Sequence, residues 1–198
     1  MASNFFAMIS RLKYIDRWAL MRNTHEENLS EHCMETACIA HALAVIGNRR
    51  FGKYYNAERA ALLGLYHDAP ETLTGDMPTP VKYYSPRIRE AYAQVEQSAC
   101  EHLVSMLPED LRRDFAPFFF KSEEDEELWK LVKAADKICA YIKCIDEKKA
   151  GNTEFDRAAE STLEAVNALG LPEAEEFMRE FLGLSLIHIS EPTRLLSI

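Results

Sequence analysis

One apolar helical segment that ends in ionisable side chains constrains the fold more than any other stretch of the sequence. Residues 60–66 are apolar on nearly all sides, which is typical of a helix at the centre of a fold. His67, Asp68 and Glu71 follow immediately. Because an unpaired charge in a low-dielectric interior costs several kcal/mol, this cluster needs an opposite charge, a metal ion or a shifted pKa with a chemical task.

Two side chains elsewhere in the chain are candidate partners for this cluster. His32 lies near the start of a predicted helix, and Asp136 lies on the apolar stripe of another. With His67 and Asp68 they form a set of two imidazoles and two carboxylates, which suits six-coordinate Mn²⁺, Co²⁺, Ni²⁺ or Fe²⁺. Such an ion keeps positions open for water and substrate, whereas four-coordinate zinc has none left.

Each of these residues also has a purely structural interpretation. A single histidine in a helix, such as His32, is more often structural than a ligand, and a His-Asp pair is common by chance. Asp136 could be neutralised by a buried salt bridge, although Lys133 and Lys137 are poorly placed to follow it inward. Glu71 could be a surface charge at a helix end. The residues alone leave these alternatives open.

Composition and charge exclude several classes of protein. The 198 residues, 47% hydrophobic and 28% charged, fit one globular domain. The net charge of −9 argues against binding of nucleic acid polymers, which depends on many Lys and Arg side chains. An anionic substrate would therefore need local positive charge from a metal or an arginine. No uncharged apolar run approaches the ~18 residues of a membrane span, so no membrane partner is expected.

The cysteines and the N-terminal residues predict the compartment. The five cysteines are odd in number and include no Cys-x-x-Cys pair, so we expect reduced thiols and neither a disulfide framework nor a zinc ribbon. Residues 1–13 lack the basic start and the continuous apolar core of a signal peptide. The sequence therefore predicts a cytoplasmic protein.

The last residues of the chain are expected to be foreign to the domain. Residues 184–194 resemble the in-frame translation of a transposase sequencing adapter. We therefore assign residues 1–183 to the domain and 184–198 to an artefact tail, and expect the native C-terminal residues to be missing. The alternative is a genuine short amphipathic tail.

Helical periodicity and capping signals cover the rest of the chain, with no convincing strand pattern. Pro70 is expected to end the helix that carries His67, and the glycine and prolines of residues 74–80 predict a loop. We therefore predict an all-α fold, a single bundle of about seven helices. The predicted N-caps are Ser30, Asn56, Ser85 and Ser122, the last in a capping box with Asp125.

One histidine, a His-Asp pair and a distant aspartate resemble the signature of the HD-domain phosphohydrolases; here they are His32, His67-Asp68 and Asp136. The surrounding sequence up to about Phe181 is similar to the bacterial 5′-deoxynucleotidases of the YfbR type. The segments that carry this similarity are Arg11-Leu12-Lys13, Arg17-Trp18, Leu20-Met21-Arg22-Asn23, Glu27-Asn28-Leu29-Ser30-Glu31-His32, Tyr66-His67-Asp68-Ala69, Glu71, Leu73-Thr74-Gly75-Asp76, Pro78-Thr79-Pro80-Val81-Lys82-Tyr83 and Cys139-Ala140-Tyr141.

The resemblance implies an HD-type helical bundle that forms a homodimer and removes phosphate from 2′-deoxyribonucleoside 5′-monophosphates with one divalent metal, Co²⁺ being favoured over Mn²⁺ or others. It also implies the role of each matching residue. The metal ligands are His32, His67, Asp68 and Asp136; the catalytic residues are Glu71 in proton transfer, Arg17 on the phosphate and Asp68; and the substrate-binding residues are Arg17, Trp18, His32, Asp68, Asp76, Met77, Pro78, Thr79 and Asp136.

The charges of these residues suggest a mechanism. Two aspartates balance the metal's charge, so Arg17 supplies the cation that a phosphate dianion needs, in bidentate geometry. The metal would lower the pKa of a bound water and polarise a phosphoryl oxygen, and Glu71 or Asp68 would protonate the leaving 5′-oxygen. A tightly packed 2′ position, with Trp18 as its wall and Asp76 on the 3′-hydroxyl, would favour deoxyribose. The alternative for Trp18 is an amphipathic core tryptophan.

Two other functions remain open at this point. One is another HD-type hydrolase that acts on nucleoside triphosphates, guanosine tetraphosphate or cyclic nucleotides. The other is a catalytically inactive HD module that binds a nucleotide or a protein. The presence of Arg17 and Glu71 beside the four candidate ligands argues against the inactive module, because a pure binder needs no water-activating metal.

Overall fold

The structure is a computed structural model that describes residues 3–182, and within these residues the chain is all-helical, as predicted. Seven of the described helices have six or more residues, in agreement with the predicted bundle. The predicted tail, residues 184–198, lies outside the described residues. The helices are α1 (Phe5–Ile9), α2 (Leu29–Arg50), α3 (Ala57–Tyr66), α4 (Glu71–Thr74), α5 (Thr79–Lys82), α6 (Pro86–Ser105), α7 (Glu109–Phe115), α8 (Glu126–Lys149), α9 (Asp156–Asn167) and α10 (Pro172–Phe177).

Short helical turns complete the described part of the chain. They are 3-10 turns at Ser10–Tyr14, Ala116–Phe118, Glu123–Asp125 and Thr153–Phe155, and a π turn at Met178–Leu182. None of the helices in residues 3–182 is long and apolar enough to cross a membrane. All five cysteines lie in this part of the chain and are free, in agreement with the predicted reduced thiols.

The start of α2 differs from the sequence prediction. Asn28 Oδ1 accepts hydrogen bonds from the backbone N–H groups of Ser30 and Glu31 at 3.0 and 3.1 Å, and Glu31 Oε2 accepts one from the N–H of Asn28 at 3.2 Å. Asn28 is therefore the N-cap in a full capping box, and Ser30, the predicted cap, is already helical. The helix starts earlier because Asn28 is held in extended conformation by an antiparallel bridge to Asp16.

Helix α3 carries the His-Asp pair to the centre of the fold. Asn56 caps it as predicted, accepting the N–H of Arg59 at 2.9 Å, and the helix ends at Tyr66 with His67 as its C-cap. Gly64 lets α3 approach α2 closely, because a Cβ at this position would lie only 3.0 Å from Cα of Ala37. This close approach brings the His67 ring to the His32 ring of α2, with the ring centroids 5.2 Å apart.

Helix α8 follows the predicted apolar stripe, but its predicted capping box is wrong. The Ser122 hydroxyl donates to Asp125 Oδ2 at 3.1 Å rather than capping the backbone, and the Asp125 carboxylate pairs with Arg59 of α3 at 2.5 Å. Asp125 pairs with Arg59 because a bidentate charged pair is stronger than a hydrogen bond that caps the helix backbone. The buried stripe of α8 includes Leu128, Leu131, Val132, Ala135, Ile138 and Cys139.

One other prediction holds in full and one in part. Ser85 caps α6 as predicted, with its hydroxyl accepting the Ile88 N–H at 3.2 Å, and the side chains of Ile88 and Val95 on this helix are 38% and 49% exposed. Helix α6 contacts the short helices α4 and α5 and also α7 and α1. The predicted loop 74–80 is shorter than expected, because α4 ends at Thr74 and α5 begins at Thr79.

The His-Asp pair lies between two apolar clusters. The larger one joins α2, α3, α8 and α10 around Leu43, Leu63 and Leu131, and the smaller one joins α1 and α6 to the segment around Phe119. Leu63 belongs to the first cluster and Ala69 to the second, so residues 67–68 cross the boundary between them. This position fixes both side chains while leaving them next to cavities.

Candidate active site

The structure brings the four predicted metal ligands together from three helices. Nε2 of His32 lies 3.4 Å from Oδ2 of Asp68 and 3.3 Å from Oδ1 of Asp136, and Nε2 of His67 lies 3.0 Å from Oδ2 of Asp68. His32, His67 and Asp68 each offer one ligand atom within 4.8 Å of the others, and Asp136 adjoins this group at His32. Such a cluster of nitrogen and carboxylate donors can bind one divalent cation.

The hydrogen bonds of His67 fit a metal ligand. Its Nδ1 lies 2.7 Å from the carbonyl oxygen of Gly64, which assigns the proton to Nδ1 and the lone pair to Nε2. Nε2 is buried and has no hydrogen-bond partner among the described residues. A histidine whose Nδ1–H is held by a carbonyl and whose Nε2 faces carboxylates has the usual orientation of a metal-bound imidazole.

The pKa shifts within the cluster favour the binding of a cation. Burial opposes the charged forms, but Asp68 outweighs it and raises the pKa of His67. In the same way, His67 and His32 lower the pKa of Asp68 against its burial, and His32 lowers the pKa of Asp136. The carboxylates therefore remain ionised and attract positive charge into the cluster.

Arg17 lies directly beside this cluster. Its Nη1 donates to Oε1 of Glu27 at 2.8 Å and to Nδ1 of His32 at 2.8 Å, while its Nη2 lies 3.8 Å from Oδ1 of Asp136. Burial disfavours the guanidinium charge, but Glu27 and Asp136 outweigh burial and raise the pKa of Arg17. Arg17 is therefore a permanent cation next to the candidate metal centre.

The contact between Arg17 and His32 also determines where His32 carries its proton. Because arginine has only donors, Nδ1 of His32 must accept, and the proton of the neutral ring then lies on Nε2. A metal at Nε2 requires the proton to be on Nδ1 instead. Oε1 of Glu27, 3.7 Å from Nδ1, is the nearby acceptor that such a proton would need.

Trp18 is held in a strained and well-fixed conformation. Its φ of 60° is the only positive value at a non-glycine residue in the described chain. Its Nε1–H donates to Oε2 of Glu27 at 3.0 Å, and its ring lies 5.3 Å from the ring of Phe155. A left-handed backbone costs about 1–2 kcal/mol for such a residue, so these contacts are needed to maintain it.

A cavity of about 720 Å³ lies on the Arg17 side of the cluster. Six of the nine residues predicted to bind the substrate line it, whereas Met77, His32 and Asp68 do not. Burial raises the pKa of Asp76, while Arg17 acts in the opposite direction. Tyr83, Leu20 and Arg157 also line the cavity and were not predicted. The predicted residues that line it are Arg17, Trp18, Asp76, Pro78, Thr79 and Asp136.

A second cavity, of about 690 Å³, reaches the cluster from another side and contains Glu71. His67, Asp68 and Asp136 line it too, so Asp136 borders both cavities. Oε2 of Glu71 is buried and has no partner among the described residues. Burial, assisted by Asp68 and Asp76, raises the pKa of Glu71 to about 9. In this arrangement Glu71 carries a proton at neutral pH and can donate it.

The loop that carries Arg17 and Trp18 is anchored to α8 by a buried carboxylate that the sequence analysis did not identify. Glu147 accepts hydrogen bonds from the N–H and hydroxyl of Thr24 at 2.9 and 2.7 Å and from Asn152 at 2.8 Å, and it pairs with Lys143. Burial opposes the Glu147 charge, but these donors outweigh it and lower the pKa. No periodic pattern marks Glu147, because its partner Thr24 comes from a loop 123 residues earlier in the chain.

Sequence comparisons match this chain along most of its length. The sequence model of a family described as "5′-deoxynucleotidase YfbR-like" matches residues 4–184. The 5′-deoxynucleotidase YfbR of Escherichia coli (strain SMS-3-5 / SECEC) is 50% identical over 199 residues, covering 98% of this chain and 98% of that protein. A 5′-deoxynucleotidase of Vibrio vulnificus (strain YJ016) is 48% identical over 191 residues, covering 95% of this chain and 98% of that protein.

Solved structures share the fold at low sequence identity. An HD-domain phosphohydrolase from Listeria innocua superposes with a TM-score of 0.79 at 22% identity, covering 91% of this chain and 87% of that chain. The cyanophage S-2L HD phosphohydrolase DatZ, bound to dA and one catalytic Zn²⁺ ion, has a TM-score of 0.58 at 18% identity, covering 87% of this chain and 94% of that chain. The described helices therefore form an HD-type bundle, as predicted.

Proposed function

The chain belongs to the YfbR-like family of 5′-deoxynucleotidases, and we propose that it hydrolyses 2′-deoxyribonucleoside 5′-monophosphates to deoxynucleoside and inorganic phosphate. The observation that carries this proposal is the convergence of His32, His67, Asp68 and Asp136 beside Arg17. It occurs in a chain that is 50% identical to a named 5′-deoxynucleotidase over nearly its full length.

One divalent metal bound by His32, His67, Asp68 and Asp136 would supply an activated water and polarise a phosphoryl oxygen. Nε2 of His67 faces the Asp68 carboxylate and has no hydrogen-bond partner among the described residues, and this orientation and the ionised carboxylates support the assignment. Co²⁺ is the favoured ion because the mixed ligand set suits six-coordinate metals and the family resemblance points to cobalt. Mn²⁺ is the next candidate, and the Zn²⁺ of the cyanophage HD phosphohydrolase makes zinc a necessary comparison.

Arg17 binds the phosphate of the substrate. It is the cation on the wall of the first cavity that lies beside the candidate metal ligands, and a guanidinium can donate two parallel hydrogen bonds to a phosphate. The distance from Nη2 of Arg17 to Oδ1 of Asp136, 3.8 Å, is too long for a hydrogen bond, so Nη2 can donate to a phosphate instead. The net negative charge of the chain makes this local cation necessary for an anionic substrate.

Glu71 is the residue that moves the proton to the leaving 5′-oxygen, with Asp68 as the alternative. A carboxyl group with its pKa raised to about 9 is protonated at neutral pH, as a general acid must be, whereas the pKa of Asp68 is lowered. This difference favours Glu71 over Asp68, which the sequence alone did not distinguish.

Trp18 and Asp76 select deoxyribose at the first cavity. The fixed Trp18 ring limits the space at the 2′ position, and the Asp76 carboxylate accepts a hydrogen bond from the 3′-hydroxyl. Pro78 and Thr79 line the same cavity and complete the nucleoside site. Three finer features belong to the proposal. The family resemblance supports a homodimer, and the free cysteines support action in the cytoplasm. The net charge of −9 and the lack of a long uncharged apolar run support an enzyme that binds neither nucleic acid polymers nor membranes.

A panel of nucleotides tests this function. Chelator-stripped protein is assayed for phosphate release from matched deoxyribo- and ribonucleoside 5′-monophosphates after addition of Co²⁺, Mn²⁺, Mg²⁺ or Zn²⁺ separately. We expect inorganic phosphate and deoxynucleoside as the only products, with Co²⁺ most effective. Release of pyrophosphate or triphosphate from other nucleotides would identify another HD hydrolase, and nucleotide binding without turnover would identify an inactive module.

A further inference from the structure

The carboxylate of Glu27 bridges the two residues that face the phosphate and the sugar. Its Oε1 accepts the Arg17 guanidinium at 2.8 Å, and its Oε2 accepts the Trp18 indole N–H at 3.0 Å. We propose that Glu27 is a positioning residue that sets Arg17 and Trp18 together, so that deoxyribose selectivity depends on Glu27 although Glu27 itself does not line the cavity. The proposal rests on the function proposed above.

The backbone holds Glu27 opposite Arg17. The N–H of Arg17 donates to the carbonyl of Glu27 at 2.8 Å, and the N–H of Leu29 donates to the carbonyl of Ile15 at 3.0 Å. Together with the antiparallel bridge between Asp16 and Asn28, these bonds pair residues 15–17 with residues 27–29. The backbone of Glu27 is thus fixed by this pairing and by the capped start of α2, independently of the side-chain contacts to Arg17 and Trp18.

Burial makes this carboxylate difficult to replace by water. The Arg17 and Glu27 side chains are each only 12% exposed, so the indole N–H and the guanidinium have few alternative acceptors. Trp18 depends on the contact more than an ordinary residue would, because its backbone is in the left-handed region. The Phe155 ring lies 5.3 Å from the Trp18 ring at an interplanar angle of 57°, and Cζ of Arg17 lies 5.9 Å from the Trp18 ring centroid. Without Glu27 the indole N–H loses its acceptor and the guanidinium loses a partner, so we expect the ring to rotate away from the sugar.

The decisive variant is Glu27→Gln. Arg17 and Trp18 donate to different oxygens of Glu27, so the single amide oxygen of glutamine in the same geometry faces only one of them, and its NH₂ group faces the other donor. We expect the ratio of kcat/KM for a deoxyribonucleotide to that for the matching ribonucleotide to fall about tenfold, which corresponds to about 1.4 kcal/mol. Glu26→Gln is the matched control, because Glu26 is the exposed neighbour and its loss should leave the ratio unchanged.

A double-mutant cycle separates positioning from general loss of structure. Trp18→Phe keeps an aromatic ring but removes the N–H that Glu27 accepts, so it should lower the ratio by itself. In the Trp18→Phe background, Glu27→Gln should lower the ratio little further. Glu27 acts on the sugar through its hydrogen bond to the Trp18 N–H, and phenylalanine has no such group. If Glu27 had only a structural role, Glu27→Gln would lower kcat/KM equally for the deoxyribo- and the ribonucleotide. Its effect would then add to the effect of Trp18→Phe in the cycle.

Three results would overturn the proposal. The first is an unchanged selectivity ratio in Glu27→Gln protein, and the second is a Glu27→Gln effect on the ratio that is equally large with Trp18 intact and in the Trp18→Phe background. The third is an unchanged ratio in Trp18→Phe, which decides the matter even if Glu27→Gln does not fold. Failure of the proposed function is distinguishable, because the unmutated protein would then release no phosphate from deoxyribonucleoside monophosphates.

Discussion

Nη1 of Arg17 donates a hydrogen bond to Nδ1 of His32 at 2.8 Å, which links the candidate phosphate-binding group to a candidate metal ligand. As long as this bond exists, the imidazole proton lies on the nitrogen that faces Asp68 and Asp136. Arginine and a metal cation therefore compete for the same histidine through its two nitrogens. Three predictions concern this centre, and a fourth concerns the loop beside it.

Replacing Arg17 should tighten metal binding while it weakens turnover. In Arg17→Met, the permanent positive charge near the cluster is lost and His32 Nδ1 is free to carry the proton that a ligand imidazole needs. We expect a several-fold lower dissociation constant for Co²⁺, measured by calorimetric titration of stripped protein, together with a higher KM for the nucleotide. Arg49→Met, at an exposed position on α2, is the control. Weaker Co²⁺ binding in Arg17→Met would contradict this interpretation.

Removing the Glu71 acid should affect chemistry without affecting the metal. Glu71→Gln keeps the size of the side chain but cannot transfer a proton, so we expect kcat to fall by about 10²-fold or more. The metal content of the purified protein should stay the same, because Glu71 is not among the candidate ligands. Glu90→Gln, an exposed position on α6, serves as the comparison. Activity within a few-fold of the unmutated enzyme would exclude this role for Glu71.

Gly64 should couple helix packing to metal affinity. In Gly64→Ala the new Cβ would lie 3.0 Å from Cα of Ala37, and backbone atoms cannot move aside without separating α2 from α3. We expect a loss of about 1–3 kcal/mol in the free energy of unfolding. Because His32 and His67 lie on either side of this contact, Co²⁺ affinity should fall as well. Denaturant unfolding and Co²⁺ titration measure the two effects, and unchanged values of both would refute the coupling.

The buried Glu147 should make the stability of the protein depend on pH in acid. Its pKa is lowered in the folded state by Lys143, Thr24 and Asn152 against the effect of burial. The stabilisation is therefore complete above the unfolded-state pKa, about 4.3, and is lost as the pH falls from there through the folded-state value. Glu147→Gln should lower the free energy of unfolding by about 3 kcal/mol at pH 7.

The same substitution should have a smaller effect at low pH. Once Glu147 of the unmutated protein begins to protonate, it resembles glutamine, so the difference between the two proteins should shrink in urea unfolding below about pH 4. Glu164→Gln, at an exposed position on α9, should show little difference at either pH. A difference that is constant from pH 7 to the acid limit would mean that the Glu147 charge contributes nothing.

The sequence predicted the helical architecture well because that information is local. Asn56 and Ser85 each lie three residues before the N–H that they cap, so a short window of sequence contains both partners. The prediction was wrong at Ser30 and Ser122 because distant groups decide there. A bridge to Asp16 shifts the start of α2, and Arg59 captures Asp125 across 66 residues of chain.

The residues of the candidate site also fall into those that local sequence patterns predict and those that depend on the folded chain. The His-Asp pair and Asp136 could be predicted from ionisable groups on apolar helix faces, and the structure brings them together. Glu27 carries no such signal, because a glutamate in a loop is ordinary until the loop folds back and places its two oxygens on different donors. The depth at which Glu71 is buried, which raises its pKa, is likewise a property of packing and not of spacing.

The four candidate metal ligands lie on or at the ends of helices in the packed bundle, whereas Arg17 and Trp18 come from a single irregular stretch that contacts Glu27 and is anchored by Glu147. On the proposed function, the metal-binding centre and the Trp18 wall of the sugar site are therefore encoded in different parts of the chain. Exchange of residues 18–28 between relatives, with Arg17 retained, is expected to change which nucleotides are accepted while the four candidate metal ligands stay the same.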